Sequence, residues 1–114
     1  MNQWTDKTVS VTGEDGESQA DVQARTFGAF AVHKAVANDV DPEWFTLTHV
    51  PTGRSVMHLA DEAQLILAGE WLWARHCMTF RLKDREQIVA KTASWVKPWQ
   101  DLCMAEGKFL VPQS

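Results

Sequence analysis

The stretch 45-FTLTHVPTGRSVMHL-59 decides the fold. Apolar and polar residues alternate on both sides of Pro51-Thr52-Gly53, as in two half-buried strands joined by a turn. Proline suits the first position of a tight turn, and Gly53 suits a positive φ that closes a three-residue loop. With that loop Val50 faces Arg54, His49 opposes Ser55, and Thr48 opposes Val56. Leu47 then opposes Met57, Thr46 opposes His58, and Phe45 opposes Leu59. The pairing sorts the side chains: Phe45, Leu47, Met57 and Leu59 form an apolar side. Thr46, Thr48, Val56 and His58 form a mixed side with Trp44 at its end. A slip of one residue would scramble both sides, so turn and pattern together predict a hairpin.

Working upstream, Thr26 to Val36 alternates as a strand, with Phe30, Val32, Lys34 and Val36 on one side and Phe27, Ala29, Ala31, His33 and Ala35 on the other. Asn38-Asp39-Val40-Asp41-Pro42 is a connection, since Asp41 before Pro42 is pushed out of helical geometry. Residues 1–23 mix Gly13, Gly16 and Ser18 with Glu14, Asp15, Glu17 and Asp21, and read as an acidic, flexible tail. The Thr-Val-Ser-Val-Thr run at 8–12 is an alternative edge strand, and Trp4 an alternative docking residue.

Downstream, Asp61 followed by Gln64 is a variant of the capping box and opens a helix over 61–77. Leu65, Ile66, Ala68, Trp71, Leu72, Trp73 and Ala74 cover most of its circumference. A helix apolar on so many sides is covered on more than one of them. Thr79-Phe80-Arg81-Leu82 reads as a linker or a brief strand. Asp84-Arg85-Glu86-Gln87 repeats the start signal for a helix over 84–96, with Ile88, Val89, Thr92, Trp95 and Val96 as its inner stripe. Pro98 opens a further short helix over 98–105, stopped by Gly107.

The sum is a small two-layer α+β domain over residues 24–114. A three-stranded antiparallel sheet (strands near 26–36, 44–50 and 54–59) is followed by two or three helices. The 114 residues suffice for one core and not for two ordinary domains. No apolar run reaches the length of a membrane span, and the first residues lack a signal-peptide core. A cytoplasmic location is therefore expected. Cys77 and Cys103 have no motif spacing and read as small buried hydrophobes.

Charge is unevenly spread. Residues 1–43 carry eight acids and three bases, a balance of −5, and residues 44–114 carry seven acids and eight bases, a balance of +1. General affinity for nucleic acid needs a stronger basic bias.

His33, His49, His58 and His76 lack the spacing of a zinc motif. With the first strand in register, His33, Thr46 and His58 form a row about 10 Å long on the open sheet face. No third ligand lies near the row, so neither metal nor cofactor is expected. Ser55 opposite His49 resembles a nucleophile and base, but no orienting acid or oxyanion hole accompanies it. No catalytic residue is assigned, and the protein is not expected to be an enzyme.

Six tryptophans in a chain with no tyrosine are the most informative feature. Trp71 and Trp73 lie about 200° apart on their helix and cannot face the same layer. Either they fill a small core or one of them meets another chain, where tryptophan is a frequent anchor. The expected partner-binding residues are Trp71, Trp73 and Arg75. The expected function is that of a small non-catalytic accessory or regulatory protein, a homodimer that binds another protein. By analogy alone, such proteins include phage and mobile-element inhibitors of host machinery. The alternative is a nucleic-acid-binding module using His33, Thr46, Thr48, Arg54 and His58 on the open face, with Arg81, Lys83 and Arg85 as a basic patch at a helix start.

Overall fold

A computed structural model describes residues 3–12, 19–34, 44–81, 85–91 and 96–111. Five strands precede three helices: β1 (Thr5–Thr12), β2 (Gln19–Phe27), β3 (Phe30–Lys34), β4 (Phe45–His49), β5 (Arg54–Leu59), α1 (Glu62–Phe80), α2 (Arg85–Lys91) and α3 (Lys97–Glu106). The strands form one antiparallel meander in chain order. The fold is thus a small α+β domain, with five strands rather than the expected three.

Both extra strands come from misread stretches. The expected strand over 26–36 is broken at Gly28 and Ala29, and Phe27 pairs with Phe30 across the break. Gly28 has φ +58°, and the Trp73 ring lies so close that a Cβ there would sit 2.4 Å from it. Positive φ at the first central residue is what a two-residue hairpin requires. The stretch read as a tail supplies β1 and the start of β2. Val9 opposes Val22 and Lys7 opposes Ala24, so the short apolar alternation at 8–12 does find a partner. Trp4 docks as well: its Nε1 donates to Glu70 at 3.0 Å and its ring stacks on Phe27.

The quoted hairpin forms, and Leu47 and Met57 are fully buried. Its register matches the expectation from Phe45↔Leu59 to Leu47↔Met57 and then shifts, with Thr48 opposite Ser55 and His49 opposite Arg54. Val56 is the extra residue of a bulge. The cause is the turn. The Gly53 N–H reaches the carbonyls of His49 at 2.8 Å and Val50 at 3.2 Å. The loop therefore includes Val50, and the bulge takes up the extra residue.

The helices cover one side of the sheet. Phe30, Leu47, Met57 and Leu59 meet Leu65, Ala68, Leu72 and Phe80 from α1, Ile88 from α2 and Trp99 and Cys103 from α3. Each large side chain buried there contributes about 1.5–3 kcal/mol. Helix α1 starts as expected, with Asp61 Oδ1 accepting from the Ala63 N–H at 2.9 Å. It continues past Cys77 to Phe80, however, through a kink at His76 (φ −132°, ψ 27°). The extension brings the Phe80 ring onto Phe30 at 4.8 Å, so Thr79 and Phe80 are helical and not a linker. Of the helix expected over 84–96, Arg85–Lys91 forms α2, and Thr92 and Trp95 lie outside the described residues. α3 begins at Lys97 and closes at Gly107.

The other side of the sheet is not open. β1 comes round to approach β5, so the sheet coils and its second face becomes concave. Val9, Val11, Ala24 and Ala31 pack there with Val22 and Val50. Small side chains suit the inside of such a curve. Among the described residues no helix is long and apolar enough to cross a membrane.

Candidate functional site

Helix α1 carries the expected contact residues. Trp71 is half-buried, with its ring 5.6 Å from Trp99 of α3 and 5.4 Å from His76. Trp73 turns to the sheet: it covers Gly28, meets Phe30 edge-on at 6.4 Å, and has the Arg81 guanidinium 5.6 Å from its centroid. The two indoles therefore serve different layers, as their angular separation requires, and α1 is covered on more than one side. Arg75 is exposed.

One ridge of α1 is only partly covered. Ala63, Leu67, Trp71 and Arg75 follow each other at i, i+4 spacing and make one ridge. Ala63 is exposed, Leu67 is 46% exposed, and Met78, just past the kink, is 75% exposed. Leu67 and Met78 are the residues that pattern reading does not single out. On a helix that is apolar all round, only the packing decides which apolar side chains face water.

The histidine–threonine row lies elsewhere and in a different state from the one expected. His33 does oppose Thr46, and Thr46 opposes His58. Yet His33, Thr46 and Thr48 are buried, because the coiled sheet encloses them. His33 Nδ1 lies 2.8 Å from the Lys34 carbonyl, which can only accept, so this nitrogen carries the proton. Its Nε2 then accepts from the Thr48 hydroxyl at 2.7 Å. His49 repeats the arrangement. Nε2 donates to the Phe80 carbonyl at 2.7 Å and Nδ1 accepts from the Thr52 hydroxyl at 2.8 Å. Burial holds both imidazoles below the ordinary histidine range, opposed only in part by these carbonyl bonds. Burial favours the neutral form of both rings, and with both nitrogens of each hydrogen-bonded they fasten the sheet. His58 is half-buried, its Nδ1 2.9 Å from the Thr46 hydroxyl. Among the described residues no group of three or more His, Cys, Asp or Glu could hold a metal ion.

The remaining candidates are dispersed. Arg54 is half-buried at the start of β5, beside the bend, and Arg81 is exposed over Trp73. Arg85 begins α2, and Lys83 lies outside the described residues. Ser55 faces Thr48 and not His49, because of the bulge, which removes the superficial nucleophile–base pair. No family model, curated protein or solved structure matches the chain.

Proposed function

We propose that this is a non-catalytic accessory protein that acts by binding another protein through the exposed face of α1. The observation that carries the reading is the exposure of Leu67 and Met78 on either side of half-buried Trp71. A half-buried indole flanked by aliphatic side chains, with a guanidinium at the rim, has the make-up of an interface anchor. Trp71 is held by Trp99 and Arg75 is free to reach outward, so the face combines a fixed centre with an adaptable edge. Trp73 supports this face from behind rather than touching the partner. The nucleic-acid reading loses its platform, since His33, Thr46 and Thr48 are enclosed.

Leu67→Glu and Met78→Glu test the proposal. Both sites are exposed, so each variant is expected to fold with a stability change within about 0.5 kcal/mol. Light scattering over a range of concentrations measures pairing with a second copy, and capture from the native host measures binding to a different protein. Loss of a complex in both variants, with folding intact, is the expected result. A wild-type chain that stays monomeric and captures nothing removes the proposal.

A further inference from the structure

The exposed stripe of α1 has a pattern of side-chain sizes. At about 100° per residue, Ala63, Leu67, Ala74 and Met78 fall within about 60° of one another around the helix. Ala63 and Ala74 are exposed, Leu67 is 46% exposed and Met78 is 75% exposed. Along the axis the order is small, large, small, large. Leu67 and Ala74 lie equally far from the midpoint between Glu70 and Trp71, and so do Ala63 and Met78.

A two-fold axis through that midpoint lays a second, antiparallel copy of the helix on the first with each large side chain against an alanine. Leu67 meets Ala74 of the second copy, and Met78 meets its Ala63. Leu67 and Ala74 both precede the kink at His76, so the central pair needs only regular helix. Trp71 borders the axis with its ring 5.6 Å from that of Trp99, which gives the contact a fixed flank. A parallel copy in register fits worse. It sets Leu67 on Leu67, leaves Ala74 opposite Ala74, and stacks the two exposed Arg75 side chains. In the antiparallel arrangement, exposed Asp61 at the start of one helix comes level with exposed Arg81 at the end of the other, and the two helix dipoles oppose.

We propose that the occupant of the α1 face is a second copy of this chain, docked antiparallel about Trp71 with Leu67 and Met78 seated on alanines. This rests on the function proposed above and narrows it to self-association. The stripe runs about 22 Å from Ala63 to Met78. Such a contact is at the low end of specific interfaces, so concentrations up to about 1 mM are needed to fill it.

The test exchanges the sizes. In sedimentation equilibrium, Leu67→Ala and Ala74→Leu should each weaken the dimer at least about tenfold, since each change acts twice across the axis. A variant carrying both changes should recover to within about threefold of wild type, because 67 of one chain meets 74 of the other. Both positions are exposed, so the circular dichroism of all three variants should match wild type. Diluting the wild type reads the same surface without any substitution. It should move the amide signals of Ala63, Leu67, Ala74 and Met78 and leave those of β1 and β2 in place. A wild type that stays monomeric at about 1 mM overturns the inference. A double variant no stronger than the singles overturns it too, as do dilution shifts confined to other elements. If such a monomer still captures a different protein from the host, and loses it on Leu67→Glu, the α1 face stands as an interface and only the second copy falls.

Discussion

His33 and His49 show how much a single buried ring can do in a small domain. Each joins a backbone carbonyl to a threonine hydroxyl, and His33 adds a side-chain bond to the ladder that already pairs β3 with β4. His49 in particular links the β4–β5 bend to the last turn of α1 through Thr52 and Phe80. The cost is sensitivity to acid. A histidine held neutral in the folded state binds its proton more readily once unfolded. The stability it supports is full above the ordinary value of 6.5 and falls as pH drops from there toward the lower folded-state value. Each ring contributes a slope of at most about 1.4 kcal/mol per pH unit in that window. Urea midpoints measured between neutral and mildly acidic pH should therefore decline, and proton NMR should place both ring titrations below 6.5. A flat profile with ordinary ring titrations would contradict the buried, doubly bonded geometry.

Gly28 is the other residue on which local structure depends. Its backbone has φ +58° and its Cα faces the Trp73 ring. Alanine there adds about 1–2 kcal/mol of backbone strain and also displaces the indole. Gly28→Ala should lower stability by about 2 kcal/mol or more, read as a lower urea midpoint at an unchanged slope.

Among the elements, α1 organises the molecule. Its inner side seals the sheet, Trp71 receives α3, and Gly69 admits the Trp4 ring. A Cβ at Gly69 would come 2.9 Å from that ring and 3.2 Å from Leu47. Trp4 is therefore a structural latch and not a loose end. Trp4→Ala should cost about 2 kcal/mol, less than a fully buried tryptophan because the ring is only half-buried. The Arg25–Glu62 bridge is a weaker tie. Its side chains are 56% and 30% exposed, so Arg25→Met should change the thermal midpoint by no more than about 1 kcal/mol implies. Calorimetry on the two variants separates the latch from the bridge.

At the scale of the whole molecule, the β1–β2 hairpin closes the concave face. A chain beginning at Phe27 lacks Val9, Val11 and Ala24 and leaves Ala31, His33 and Thr48 uncovered. It should bind a hydrophobic dye and lose cooperative unfolding. If residues before Phe27 were only a tail, their removal would leave the melting curve unchanged, so circular dichroism and dye binding decide the matter.

The sequence by itself determined the elements whose signals are local. The β4–β5 hairpin, its apolar side, the Asp61 helix start and the Gly107 stop all follow from turn chemistry, capping and alternation over a few residues. Three features needed the tertiary structure. The break at Gly28 depends on Trp73, forty-five residues later in the chain. The order of the N-terminal stretch depends on pairing between β1 and β2 and on a pocket at Gly69 that exists only once α1 is packed. The side of the sheet that meets water also depends on coiling, because alternation names two faces but cannot say whether the second is later enclosed. For the same reason Leu67 and Met78 emerge as exposed on α1 only when the other large apolar side chains of that helix have found their neighbours.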